Sequence, residues 1–204
     1  MVAIIDYDAG NLKSVQKAFE FLGADVVVTR KKDEILNSDH VILPGVGAFG
    51  EAMERLEQYE LVDTIKEVVK RKIPLLGICL GMQLLFESSE ESDGIKGLSL
   101  LEGKIVKIPK KEGIKIPHMG WNSLELKGKA TLFQGLSKEP YVYFVHSYYL
   151  VPSKAEDVVA VTEYGTTLSV AVEHENLFGC QFHPEKSGEV GLEILRNFLK
   201  ISKE

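Results

Sequence analysis

Apolar runs alternate with amphipathic segments through the first half of the chain, and few architectures accommodate that order. VAIIDY (residues 2–7), ADVVVT (24–29), HVILPG (40–45) and IPLLGI (73–78) are short, largely β-branched or apolar, and end in turn residues. Each reads as a buried strand. Between them, LKSVQKAFEFL (12–22) places Leu12, Val15, Phe19 and Leu22 on one helical face. AFGEAMERLEQY (48–59) and LVDTIKEVVKR (61–71) have the same helical spacing. Strands joined by helical crossovers imply a parallel sheet covered on both faces.

The pattern changes after Gly94. GKIVKI (103–108), NSLELK (122–127), YVYFVHSYYLV (141–151), VVAVTEY (158–164), LSVAVEH (168–174) and LFGCQF (177–182) are strand-like runs separated by turn residues. They predict antiparallel additions to the sheet, closed by a helix in EVGLEILRNFLK (189–200). There is no repeat, low-complexity tract or linker-like shift in composition. The expected fold is one α/β domain over residues 1–204, three-layered and flavodoxin-like. Its central sheet is mostly parallel, with helices on both faces and antiparallel strands in the C-terminal half.

A chain of 204 residues, 45% hydrophobic and 26% charged, can bury a full core without covalent staples. The net charge of -6 argues against nucleic acid, which selects a basic surface. Arg30-Lys31-Lys32 and Lys110-Lys111 read as solvated loop charges. No apolar run reaches the ~18 residues of a membrane span. MVAIIDYD has neither a basic nor an extended apolar leader region. Two cysteines are no disulfide framework, so a reducing cytoplasm is the expected setting.

One of those cysteines, Cys79, lies between Gly77 and Gly81 in PLLGICLGMQLLF, where a strand gives way to a helix. That is the pattern of a nucleophile elbow with a thiol in place of a hydroxyl. Such a turn needs small residues two positions either side, and a helix N-terminus favours the thiolate. A structural cysteine with glycines for close packing is the competing reading. Cys180 sits mid-strand with no elbow and reads as structural.

A cysteine nucleophile needs a base, and the base needs an orienting acceptor. Of five histidines, His40 opens a strand and His174 sits in a turn. His118 and His146 lack a neighbouring acid. His183 has Glu185 two residues on, the same side of an extended chain, with Pro184 between them. The glycine-rich turn LPGVG (43–47) also ends a strand, where bare N–H groups can meet an anion. An oxyanion hole, a phosphate site or a plain turn would each suit it.

PGVG (44–47), GICLGMQ (77–83) and HPE (183–185), in this order and spacing, resemble the class I, triad-type glutamine amidotransferase domain over nearly the whole chain. The resemblance implies Cys79 as nucleophile, His183 as general base and acid, and Glu185 as its carboxylate. It implies an oxyanion hole from the N–H of Leu80 and one from the Gly47 turn. Gln83 matches the residue contacting substrate glutamine, with Glu87 one turn further on the same face. The backbone of Ser147 and Tyr148 matches the segment holding the amino-acid end of L-glutamine. YDAGNL (7–12), PGVGAFGEAM (44–53), CLGMQLLFE (79–87), PHMGWN (117–122) and HPEKS (183–187) are more specifically similar to glutaminase subunits of imidazole glycerol phosphate synthase. Those subunits dock on a (β/α)8-barrel cyclase subunit and deliver ammonia to it; no cofactor or metal is implied. The resemblance places Asn11, Trp121, Tyr143 and Lys186 at the docking surface. Taken as bare residues, Asn11 is a helix cap, Trp121 and Tyr143 are core aromatics, and Lys186 is a solvated charge. Rival expectations are the glutaminase subunit of anthranilate or aminodeoxychorismate synthase, a free-standing cysteine hydrolase, and a binding protein that lost the chemistry.

Overall fold

The computed structural model describes residues 1–202. The first half runs β1 (Val2–Ile5), α1 (Leu12–Phe21), β2 (Val26–Thr29), α2 (Lys32–Leu36), β3 (His40–Leu43), α3 (Phe49–Gln58), α4 (Leu61–Lys70), β4 (Leu75–Ile78) and α5 (Leu80–Leu84). The second half supplies β5 (Ser88–Ser89), β6 (Gly103–Lys107), β7 (His118–Ser123), β8 (Glu125–Leu126), β9 (Tyr141–His146) and β10 (Tyr148–Pro152). It ends with β11 (Val158–Glu163), β12 (Thr167–His174), β13 (Leu177–Cys180) and α6 (Gly188–Leu199).

The main sheet has the order β2-β1-β3-β4-β13, all parallel, continued by β12, β10 and β6 as antiparallel strands. This is the doubly wound flavodoxin-like arrangement, with β13 as the fifth parallel strand. Every residue of β1, β3, β4 and β13 is buried, because helices cover both faces. Ile4, Ile42 and Leu76 pack with Val15 and Phe19 of α1 and Ile194 and Phe198 of α6. Ile5, Leu43 and Leu75 face the other layer, with Ile35 of α2, Leu56 of α3 and Ile65 of α4. Strand alternation sends successive side chains to opposite layers, which is why these runs are continuously apolar in sequence.

The C-terminal half differs from the sequence reading in its divisions. The run 141–151 is two strands, parted at Ser147: β9 pairs with β7 in a separate two-stranded ribbon, while β10 enters the main sheet. The run 122–127 is likewise split between β7 and β8. β7 begins at His118, inside PHMGWN, which carries no strand signal. Met119 and Trp121 point outward, 61% and 57% exposed, and Gly120 takes φ 122°, so the stretch lacks the usual strand pattern. α2, five residues long, was also not foreseen; it is too short for a periodic signal.

The glycines around Cys79 are explained by contact rather than by torsion. A Cβ on Gly81 would lie 1.8 Å from the Leu43 carbonyl oxygen, and one on Gly77 would lie 2.7 Å from both the Gly81 oxygen and the Met82 nitrogen. α5 therefore sits directly on the ends of β3 and β4. Gly81→Ala should destabilise the protein by about 4 kcal/mol or more, because the obstructing atom is backbone. Denaturant unfolding measures this; a loss below about 1 kcal/mol would contradict such close packing.

Candidate active site

Cys79 is forced into an unusual backbone conformation, φ 55° and ψ -111°. Non-glycine residues rarely hold positive φ, and the surrounding structure must over-determine it. Two anchors do so: the Cys79 N–H donates to the Cys180 carbonyl at 2.8 Å, and the N–H groups of Met82 and Gln83 donate back to the Cys79 carbonyl at 3.1 and 3.3 Å. α5 spans only five residues, so it contributes less than a full helix dipole. Polar company for the sulfur comes instead from a side chain. Gln181, fully buried on the extension of β13, donates from Nε2 to Cys79 Sγ at 3.6 Å. Cys180 is fully buried, and burial pushes its thiol well above the ordinary range.

The strand end that carries Gln181 also carries His183. Its N–H donates to the Tyr143 carbonyl at 3.0 Å, and its carbonyl accepts from Ser187 Oγ at 2.7 Å. Residues Pro184–Lys186 form a single 3-10 turn rather than extended chain. The turn brings Glu185 back onto the ring: His183 Nδ1 lies 2.8 Å from Glu185 Oε1, both side chains sealed from solvent. The same oxygen accepts from Asn11 Nδ2 at 2.6 Å. Asn11, left-handed at φ 71°, makes no side-chain cap on α1, so its cap reading fails and its amide serves Glu185. Burial alone would lower the His183 pKa. The nearby Cys79 and the hydrogen-bonded Glu185 outweigh burial and lift it to about 10.

His183 Nε2 is buried and has no hydrogen-bond partner within the protein. It lines a cleft of about 380 Å³ at the C-terminal edge of the parallel sheet, together with Cys79, Leu80, Gln83, Ser147 and Tyr148. Ligands of open α/β folds bind at this edge. Val46 and Gly47 close one side. The Leu80 N–H is not free there: it donates to the Gly45 carbonyl at 3.3 Å. Tyr7 donates its buried hydroxyl to the Pro44 carbonyl at 2.6 Å, holding the start of the turn, while Val46 is 40% exposed. Burial is the main reason the Tyr7 phenol is held well above its ordinary pKa.

Of the two glutamates on this side, the one expected is elsewhere. Glu87 accepts from the Gly103 N–H at 2.8 Å and is not on the cleft wall. Glu91 is on the wall, its Oε2 accepting from the Phe49 N–H at 2.8 Å. It was missed because it follows α5 in an irregular segment without helical register. Gln181 was missed although a signal existed: a lone amide in an apolar strand, two residues before His183 and hence on its face. Trp121 and Tyr143 are opposite each other on the ribbon, ring centroids 6.2 Å apart, and the exposure of Trp121 excludes a core role. Lys186 is exposed beside Glu185 and makes no ion pair among the described residues. His40 and His174 are used structurally, on the Ile201 carbonyl and the Asp157 carboxylate.

Cys79 at positive φ, the buried His183–Glu185 pair and the glycine turn at 45–47 thus share one edge of the α/β sheet. The class-I glutamine amidotransferase family model matches residues 3–201, and the chain belongs to that family. It is 53% identical over 197 residues to "Imidazole glycerol phosphate synthase subunit HisH" of Moorella thermoacetica, covering 97% of this chain and 93% of that protein. It is 49% identical over 201 residues to the protein of the same name in Methanocaldococcus jannaschii, covering 98% and 100%. Among solved structures, one described as a glutamine amidotransferase superposes with TM-score 0.76 at 21% identity over 98% of both chains. PurLQS of Thermotoga maritima gives 0.74 at 21% identity, over 97% of this chain and 96% of that one. These last two speak to the fold.

Because the folded pKa of His183 is raised from 6.5 to about 10, the stability it contributes is complete below pH 6.5 and is lost as pH rises through about 10. The ring should therefore remain protonated through neutral pH in an NMR titration. Cys79→Ala should move its midpoint down, since Cys79 leads the raising influences. A ring titrating near 6.5 in the unaltered protein would rule this coupling out.

Proposed function

We propose that this chain is the glutaminase subunit of an imidazole glycerol phosphate synthase, acting as one domain in the cytoplasm. It hydrolyses L-glutamine to glutamate and ammonia. The ammonia passes to a (β/α)8-barrel cyclase subunit, which forms imidazole glycerol phosphate and AICAR ribonucleotide in histidine biosynthesis. The observation that carries the catalytic reading is Cys79 on its strained elbow sharing one cleft with the sealed His183–Glu185 pair. Among the described residues, no helix is long and apolar enough to cross a membrane.

In this reading the Cys79 sulfur attacks the side-chain carbonyl carbon of glutamine. The C–N bond breaks as His183 Nε2 delivers a proton to the departing nitrogen, and ammonia leaves. Water, deprotonated by the same nitrogen, then adds to the thioester; glutamate departs and the thiol is restored. Glu185, held by Asn11, keeps Nδ1 protonated and so leaves Nε2 aimed at the chemistry. Glu91 is the carboxylate on the cleft wall, and its charge suits the substrate's α-ammonium group. The oxyanion needs donors, and the Leu80 N–H must leave the Gly45 carbonyl to serve as one. Rotation of the Val46–Gly47 peptide supplies the second; Gly47, at φ 101°, can take torsions closed to other residues. Ammonia protonated in bulk water is not a nucleophile, which favours direct transfer to the docked subunit. Trp121 and Tyr143 on the ribbon, flanked by exposed Met119 and Tyr141, form the docking face with Asn11 and Lys186.

Cys79→Ala should reduce glutamine-dependent synthesis by the two-subunit complex at least roughly a thousandfold and leave ammonia-dependent synthesis intact. Loss of both in a folded complex would contradict separate sites. Lys186→Ala should weaken docking or coupling by about 1 kcal/mol without changing the glutamine chemistry itself. Titration calorimetry giving an unchanged affinity, with unchanged coupling, would remove Lys186 from the interface.

A further inference from the structure

Two buried histidines take no part in the chemistry above, yet their hydrogen bonds lead to the nucleophile. His118 and His146 face each other on the last rung of the ribbon, where the chain leaves β9 for β10. They are 2% and 6% exposed. His118 Nδ1 lies 2.9 Å from His146 Nε2, and His146 Nδ1 lies 2.8 Å from the Tyr148 carbonyl oxygen. A carbonyl only accepts, so His146 carries its proton on Nδ1. A neutral His146 then presents a bare Nε2, so His118 must donate from its own Nδ1. His118 Nε2 is left as an acceptor, and Asn122 Nδ2 lies 3.3 Å from it. Every direction is determined once the carbonyl is in place.

The line continues into the cleft. Gln83 Nε2 donates to the same Tyr148 carbonyl at 3.3 Å and to Gln181 Oε1 at 2.9 Å, and Gln181 donates to Cys79 Sγ. The Ser147 carbonyl is meanwhile held by the Ile108 N–H at 2.9 Å. The 147–148 backbone, which lines the cleft, is thus fixed from both sides. His118 has no room to turn: it is stacked 3.9 Å from the Tyr164 ring and 4.5 Å from Phe144. Burial keeps both rings neutral, lowering His118 to about 4 and His146 to about 3. An ordinary pair of core aromatics would fill this space without any polar line.

We propose that His118 and His146 are positioning residues for the glutaminase reaction. As a neutral pair with fixed proton directions, they hold the Tyr148 carbonyl and, through Gln83 and Gln181, the hydrogen bond to the Cys79 sulfur. The pair is a strut between the exposed ribbon and the substrate wall. This rests on the function proposed above for the activity it serves, but not for the proton directions it requires.

Nitrogen-edited NMR of the unaltered chain reads those directions. Both rings should be neutral Nδ1–H tautomers from pH 6 to 8; an Nε2–H tautomer at either ring, or titration of either in that range, overturns the proposal. Kinetics with the barrel subunit bound read the consequence. His118→Phe keeps the stacking but removes the donor, and should raise the KM for glutamine roughly fivefold while kcat stays within about twofold. His118→Asn returns a donor near the Nδ1 position and should restore KM. A folded His118→Phe complex with unchanged KM, or an Asn variant no better than Phe, also overturns it. If His118→Phe does not fold, the tautomers of the unaltered protein decide. If the unaltered complex has no glutaminase activity, the proposed function fails and the NMR result still stands on its own.

Discussion

The contact between the Gly81 backbone and the Leu43 carbonyl is the constraint on which the rest is built. It lets α5 rest on the ends of β3 and β4 without any side chain between them. That approach turns the chain sharply enough to hold Cys79 at positive φ and to present its sulfur above the sheet edge. The same closeness brings the Leu80 N–H against the glycine turn that follows β3. The Cys79 sulfur and the glycine turn are therefore placed by one backbone juxtaposition, and a single methyl group on Gly81 would force them apart.

Electrostatics then distinguish the two halves of the site. A buried carboxylate is costly unless paired and hydrogen-bonded. Glu185 meets that condition through His183 and Asn11, although its second oxygen has no partner. Cys79 and Glu185 together make His183 a far stronger base than an isolated imidazole in the same burial. The other polar side chains around the sulfur, Gln83 and Gln181, are uncharged and linked to one another. They orient the thiol's surroundings without adding a competing charge.

The antiparallel half has a different task from the parallel half. β13 continues the parallel sheet and delivers Gln181 and His183 to its edge, whereas the ribbon of β7 and β9 stands apart with aromatic side chains outward. The Ser147 bend carries the chain from ribbon to sheet, and it lines the cleft. The exposed aromatic face of the ribbon thus lies one short connection from the cleft wall. The first turn of the chain after β1 reaches the same edge, where Asn11 bonds to Glu185.

Much of this was legible in the sequence because it is local. Alternating buried strands and amphipathic helices imply the parallel core through period and length alone. Glycines two positions either side of Cys79 imply an elbow, and a carboxylate two residues past His183 implies an oriented base. Elements with reversed or missing periodicity were not legible: β7 with its outward aromatics, α2 with one turn, and the split of the 141–151 run. Tertiary structure alone decided which distant groups meet. It chose Glu91 over Glu87 for the cleft wall, drew Asn11 from capping duty to the carboxylate, and joined His118 to His146. It also decided that the Leu80 amide rests on Gly45. Residue type and spacing determine what a segment can do, but its hydrogen-bond partners are supplied by chain that lies far away in sequence, and only folding brings the two together.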